Sequence, residues 1–385
     1  MNVSIVKGFL KLAAIGIGVA GFAASPLAAS NDALIDTLVR NGYLTQAQAE
    51  EIRRSEGVNV APKSGNVQEL RILGRVQGQF AYSNAKDGDD YSTFELRRAR
   101  FGVEGRFFDD YKFMVEANTL PAGLSLRAAY LSWTKFDEAH VTFGFDKPRF
   151  GLEENTSDSA ILTVERSVIT QQVVPQERTG LRLHGAVGPV NYYTGIYNAT
   201  TGGVQVPDEQ DYLYNLSGEI KFDDRVDWLT KLRLRADWMH KEDGPAGYAF
   251  NDALSFSVHT GVGPAEFRAE YLWAEDFGGN TTRGWYLMPS YFVIPTKFEL
   301  VVRYEQSRSD ETNTLRHNRY AVSIPGITPA GAGDRYDAWY FGGSYYIRGN
   351  DLKYMMGVEM AELEDTTADT SSQTVTGYGA VRMQF

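Results

Sequence analysis

The chain contains no cysteine, which removes disulfide staples, thiol nucleophiles and thiolate metal sites together. It also lacks a long apolar run. The most apolar stretch, Leu12 to Ala24, is shorter than the ~20 residues a helix needs to cross a bilayer, and no later segment is longer or more apolar. Helical membrane spans are therefore excluded. Histidine is scarce, and His140, His184, His240, His259 and His317 lie too far apart in sequence to form a metal-ligand pattern. No Gly-x-Ser-x-Gly elbow, phosphate-cradling loop or acid–base pair is present. Gly16 to Gly21 matches the dinucleotide fingerprint by letters, but it follows no strand and opens no βαβ unit. Positive charge is in the minority, with 38 Lys and Arg against 49 Asp and Glu and a net charge of -11, so nucleic acid is a poor partner. The absences point away from an enzyme, and no cofactor and no metal are expected.

What is present begins with a leader. Lys7 and Lys11 supply a basic region, Leu12 to Ala24 an apolar one, and Pro26 to Ser30 a small-residue cleavage zone, so residues 1–30 read as a secretory signal peptide. Residues 31–57 carry two short helical patterns separated by Asn41-Gly42, with Thr45 and Gln48 spaced as a capping box. They form a helical periplasmic extension, either an oligomerisation element or a solvated hairpin. Residues 58–69 are a linker.

From residue 70 to 385 the pattern changes to period two. Lys231, Arg233, Arg235 and Asp237 alternate with Leu232, Leu234, Ala236 and Trp238, and Glu266, Arg268 and Glu270 alternate with Phe267, Ala269 and Tyr271. Aromatics are abundant (22 Tyr, 21 Phe, 6 Trp), yet mean hydropathy is only -0.32. Both traits suit a transmembrane barrel, whose strands show one face to lipid and the other to a polar lumen. Sixteen strands are expected, at 70–82, 93–108, 111–120, 124–136, 139–146, 178–187, 190–198, 211–222, 229–240, 250–261, 264–275, 283–293, 297–308, 335–348, 351–362 and 373–385. Tight turns such as Asp137-Glu138 and Gly188-Pro189 alternate with longer loops, the longest at 147–177 and 309–334. Short turns on one rim and long loops on the other fit an all-β antiparallel barrel in a bacterial outer membrane. The chain ends on Phe385, and Thr376, Tyr378, Ala380, Arg382 and Gln384 are expected to face inward on a last strand that pairs with the first.

The third long connection opens with Gly144-Phe145-Asp146-Lys147-Pro148-Arg149-Phe150-Gly151-Leu152-Glu153 and runs through Thr156-Ser157 to Glu165-Arg166-Ser167. This string resembles the signature of the phosphate-selective porin family, and Arg97-Arg98-Ala99-Arg100-Phe101-Gly102-Val103-Glu104-Gly105 is similar to a second family segment. The resemblance implies a homotrimer of sixteen-stranded barrels in which the long third loop folds into the lumen. It also implies an arginine ladder that leads small anions such as phosphate past a constriction. By position, Arg98 and Arg100 match the ladder strand, and Lys147, Arg149 and Arg166 lie in the loop segment.

The residues themselves add Arg233 and Arg235, with Lys231 extending their row, and Arg71 and Arg75 on one side of the first strand. Arginines at i and i+2 on a strand project about 7 Å apart, close enough for an anion to pass between neighbours. Against this, Glu104, Asp237, Glu266, Glu270, Glu299, Glu305 and Glu359 also fall on inward faces and could cancel the basic row. A general or cation-tolerant porin is therefore the competing expectation, ahead of a barrel enzyme or adhesin. The acidic runs 87–90 and 362–369 read as a solvated outer rim beside lipopolysaccharide.

Overall fold

The computed structural model describes residues 58–59, 67–86, 88–119, 123–200, 211–223, 228–242, 244, 247–312, 314–327 and 332–385. The expected leader and helical extension lie outside them, as does the middle of the linker. Sixteen antiparallel strands close into one barrel. They are β1 (Val67–Ala85), β2 (Asp90–Phe107), β3 (Tyr111–Asn118), β4 (Ser125–Phe136), β5 (Ala139–Asp146), β6 (Arg178–Val187), β7 (Val190–Asn198) and β8 (Tyr212–Lys221). The second half comprises β9 (Lys231–Lys241), β10 (Phe250–Val262), β11 (Ala265–Asp276), β12 (Thr281–Ile294), β13 (Phe298–Ser309), β14 (Arg335–Arg348), β15 (Leu352–Asp365) and β16 (Thr370–Gln384).

Each expected strand overlaps an observed one, and the differences lie in length. The first strand begins at Val67, inside the expected linker, and continues to Ala85, while β2 starts at Asp90. Asp90, the last residue of the acidic run 87–90, is thus already strand. Likewise β15 runs to Asp365, so half of the acidic run 362–369 is strand. Cross-strand hydrogen bonding gives a backbone that leaves water reason to keep pairing until the register ends, and charged side chains on the lumen face do not interrupt it.

Closure follows from the C-terminus. β16 pairs with β1 from Thr374↔Ala85 to Gln384↔Arg75, and Phe385 exchanges both backbone hydrogen bonds with Gly74 at 2.9 and 3.0 Å. The Phe385 ring lies over Gly74, where a Cβ would stand 2.1 Å from Cζ, so this position has room for hydrogen only. Beyond that end, a two-residue strand, Val58–Asn59, takes up the edge that β16 leaves open, pairing with Ile72 and Arg71.

The faces divide as the period-two pattern predicts. Phe101, Phe143, Leu216, Phe256 and Met356 are exposed on the outside, while Thr376, Tyr378, Ala380 and Arg382 of β16 are buried inside. Trp285, Tyr304, Trp339 and Phe341 make a continuous row of ring contacts across β12, β13 and β14, with centroids 5.3, 4.6 and 6.0 Å apart. Aromatics of this kind gather at the membrane interface.

Two loops turn inward. The third, after β5, carries helices α1 (Leu152–Asn155) and α2 (Val168–Val173). Ile169 and Val173 of α2 pack with Phe150, Leu213, Met239 and Tyr248, and Leu162 and Val164 pack with Tyr286, Met288, Tyr340 and Tyr378. Burying each such side chain contributes about 1.5–3 kcal/mol, enough to hold a loop that has no sheet partner. The loop between β13 and β14 also folds in: Leu315, His317, Asn318, Tyr320 and Ala321 are buried, and Arg319 and the Tyr320 hydroxyl both donate to Glu95 at 2.6 Å. The barrel therefore holds packed protein inside it, against strands from β7 round to β16.

Candidate functional site

The third loop meets β1 and β2 in a cluster of charged side chains. A bulge decides the chemistry here. Gln77 pairs with Arg98 but Gly78 with Leu96, so Arg97 is an extra residue in β2. The extra residue resets the alternation and turns Arg97 and Arg98, neighbours in sequence, to the same inward face. Arg100 follows two positions later.

Asp158, at the tip of the third loop, receives four guanidinium groups: Arg100 at 2.7 Å, Arg98 at 3.0 Å, Arg75 at 3.1 Å and Arg166 at 3.1 Å. Burial by itself would raise the Asp158 carboxyl, but Arg98, Arg100, Arg166 and Arg75 overcome it and hold the group well below the usual carboxylate range. Arg97 pairs separately with Glu165 at 3.0 Å. Burial of Glu165 is again outweighed by its arginine, and the carboxyl falls to about 2. Both carboxylates stay ionised at any physiological pH.

From Asp158 the ion pairs run on through the loop. Arg166 reaches Glu154 at 3.2 Å, Lys147 also contacts Glu154 and lies 3.9 Å from Glu177, Arg127 contacts Glu177, and Arg100 lies 4.0 Å from Glu116. Burial, reinforced by Arg127, lowers the Lys147 ammonium to about 8. This connected set contains six cations and four carboxylates, so it keeps a positive surplus. Arg149 is exposed, donates to Asn155 at 3.3 Å, and has no carboxylate within ion-pair distance among the described residues.

The structure brings together Arg75, Arg98, Arg100 and Arg166 of the expected residues, with Lys147 next in line and Arg149 on the same loop. It leaves the others apart. Arg71 pairs with Glu69 and Glu104 farther along β1. Lys231 binds Glu266 at 2.6 Å, Arg233 binds Asp223 at 2.6 Å, and Arg235 binds Asp237 at 2.9 Å. Lys231 opens β9 directly after the turn from β8, so this row starts at the periplasmic rim. Sequence reasoning missed Arg97, Arg127 and Asp158. The Arg97-Arg98 doublet is the one signal for the first, since adjacent arginines on a strand share a face only at a bulge.

The inward carboxylates have a different occupation. Asp237 accepts from Gly151 N at 3.0 Å, Glu270 from Leu152 N and Glu153 N at 2.6 and 3.1 Å, and Glu305 from Val168 N at 2.8 Å. On the same wall Arg303 binds Glu153, Glu305 and Glu359 at 3.2, 3.1 and 3.3 Å. Asp237, Glu270, Glu299, Glu305 and Glu359 are all 3% exposed or less. Asp237, Glu270 and Glu305 satisfy backbone donors of the loop, whereas Glu359 accepts from Asn318, Tyr336 and Arg303 and Glu299 from the Tyr346 hydroxyl. Glu104 and Glu266 stay partly open, and each already has a cationic partner.

Residues 70–223 match the family model described as phosphate-selective porin O and P. The chain is an outer-membrane porin. A protein of Aquifex aeolicus (strain VF5) described only as uncharacterized is 22% identical over 98% of this chain and 99% of its own. Among solved structures the porin is similar to OmpF of Salmonella typhi in complex with daunomycin, with 12% identity, 84% of this chain and 99% of that one covered, and a TM-score of 0.58. It is similar as well to an anion-selective porin from Comamonas acidovorans, with 13% identity, coverage of 82% and 99%, and a TM-score of 0.56. The outer membrane channel DcaP of Acinetobacter baumannii aligns at 12% identity over 85% and 99%, also with a TM-score of 0.56. At these identities the structures establish a shared fold.

Proposed function

We propose that this porin lets small hydrophilic solutes diffuse passively and favours anions, including phosphate, at the third-loop constriction. One observation carries the reading: the inward carboxylates Asp237, Glu270 and Glu305 are covered by the loop whose N–H groups they accept, whereas the arginines around Asp158 retain access to the lumen. Their side chains are 10 to 19% exposed, and they outnumber the carboxylates they touch. A fixed positive surplus between low-dielectric walls raises local anion concentration. Because Asp158 already occupies the guanidinium groups, a passing anion meets partly satisfied donors and is bound weakly enough to leave. The printed description of the Comamonas acidovorans neighbour as anion-selective agrees with this reading.

The decisive measurement is the reversal potential of purified protein in a planar bilayer under a potassium chloride gradient. A potential of anion-selective sign supports the proposal, while a cation-selective sign returns the channel to the general porin class. The acidic outer rim fits a neighbourhood of lipopolysaccharide, whose phosphates would meet it through divalent cations.

A homotrimer belongs to the same proposal. β3 and β5 have 8 residues each, against 14 in β14 and β15 and 15 in β16. At ~3.3 Å per residue and ~40° tilt, an eight-residue strand rises ~20 Å, less than the ~25 Å apolar band it must cross. A low wall of this kind is relieved when neighbouring subunits cover it. Migration as a trimer in unheated detergent electrophoresis is the expected result, and a monomer alone would remove this part.

A further inference from the structure

Two cations on the covered wall have no role in the ion-pair chain. Lys353 of β15 and Arg382 of β16 are cross-strand partners, 0 and 1% exposed, and no carboxylate lies within ion-pair distance of either among the described residues. Burying two unneutralised charges side by side is costly, and apolar residues would pack there at less expense. Their contacts explain them. Lys353 Nζ donates to the Ile161 carbonyl at 2.9 Å and to Asn350 Oδ1 at 3.3 Å, and it sits 5.2 Å from the Tyr346 ring centroid. Arg382 donates from Nη1 to the Asp158 carbonyl at 2.5 Å and from Nη2 to the Val164 carbonyl at 2.6 Å.

We infer that Lys353 and Arg382 are positioning residues: together they clamp the 158–164 turn of the third loop and so fix where the Asp158 carboxylate stands among the arginines. The inference rests on the reading that this cluster governs permeation. The turn belongs to no sheet, so its carbonyls need donors from elsewhere. A guanidinium presents a rigid fork, and here its two prongs hold the first and last residues of the turn, while the single Lys353 ammonium holds the middle. The residue whose main chain Arg382 grips is the one whose side chain faces Arg75, Arg98, Arg100 and Arg166. A shift of the turn therefore moves the carboxylate and changes both the opening and the net field. The Arg382 guanidinium also adds its own charge beneath the cluster.

The test uses the full-length protein with Lys353→Met and Arg382→Met, which keep much of the side-chain volume, and Lys353→Arg and Arg382→Lys, which keep the charge. Heat-modifiable electrophoretic migration confirms a folded barrel in each. In single-channel recordings the Met variants are expected to show larger open-channel current fluctuations, and an anion-to-cation permeability ratio reduced about two-fold per charge removed. The charge-keeping variants are expected to restore quiet current in part. Folded Met variants with wild-type fluctuations overturn the clamp, and so does a changed permeability ratio with a quiet current, which would make the two residues sources of charge alone. Should the wild type itself lack anion preference, the functional proposal fails separately, and the fluctuation measurement still decides the clamp.

Discussion

Replacing both Arg98 and Arg100 by alanine removes the two guanidinium groups closest to Asp158, at 3.0 and 2.7 Å. The ten charges of the cluster around Asp158, six cations and four carboxylates, then become four of each, Glu116 losing its only cationic partner among the described residues, so the surplus disappears. A unit charge ~7 Å from an ion in water contributes ~0.6 kcal/mol, which screening at ~0.1 M salt roughly halves; because a cation feels the opposite sign, the pair shifts the anion-to-cation balance by ~1.2 kcal/mol, or about eight-fold. The third loop should stay in place, because Glu270, Glu305, Arg303, Lys353 and Arg382 hold its backbone independently of β2.

The assay is a reversal potential in a bilayer near 0.1 M salt, where the Debye length is ~10 Å, since at 1 M it shrinks to ~3 Å and hides the effect. Asp158→Asn is the opposing control. It removes one negative charge from the same place and should raise the ratio by about three-fold. A double alanine variant that is folded and conducting but moves the ratio less than two-fold would refute the electrostatic reasoning. An effect of the same sign in both variants would refute it as well, because only a change in pore size could act that way.

Other perturbations test the frame around the cluster. Gly357→Val puts a side chain where a Cβ stands 2.1 Å from the Tyr340 hydroxyl, and that hydroxyl accepts from Val164 N at 3.3 Å; overpacking here should cost about 1–3 kcal/mol in urea unfolding from detergent. Arg303→Met leaves Glu153, Glu305 and Glu359 buried around a vacant centre, and a loss of about 3–5 kcal/mol is expected in the same titration. His317, 4% exposed in the loop between β13 and β14, contacts Ser372 Oγ at 2.7 Å and Thr374 Oγ1 at 3.4 Å, and burial lowers its imidazole to about 4. An opened loop takes up the proton first, so the closed loop keeps its full stability above pH ~6.5 and loses up to ~3 kcal/mol as pH falls to ~4. Protease cleavage of this loop should accelerate over that interval in the wild type and not in His317→Gln; equal acceleration in both would exclude the histidine as the cause.

The alternation of Lys231 to Trp238 and of Glu266 to Tyr271 was enough to read strands, faces and the closing of β16 on β1, because the period-two pattern is a local property of each strand. What covers a face is not local. Glu270 and Glu305 read as pore-lining carboxylates from their register alone, and they are inward, yet the third loop lies over them and takes their hydrogen bonds. The Lys231 to Arg235 row reads as the best anion path for the same reason, although its partners Asp223, Asp237 and Glu266 come from a turn, its own strand and β11. The bulge at Arg97 is harder to read for another cause: one inserted residue reverses the parity of everything before it, and the Arg97-Arg98 doublet is its one mark in the sequence.

The lumen's charges therefore divide by partner rather than by sign. Six of those on β9 to β16 engage the main chain of the third loop: carboxylates Asp237, Glu270 and Glu305 take its N–H groups, while Arg303, Lys353 and Arg382 supply its carbonyls. Those on β1 and β2 engage a side chain, Asp158, which an anion can replace as a partner without unfolding anything. A main-chain contact is lost only when the loop moves, whereas a side-chain contact can exchange at every passage. On the proposed reading, structural charge and permeation charge occupy opposite sides of one loop, and the acidic total of the chain places no limit on an anion-favouring pore.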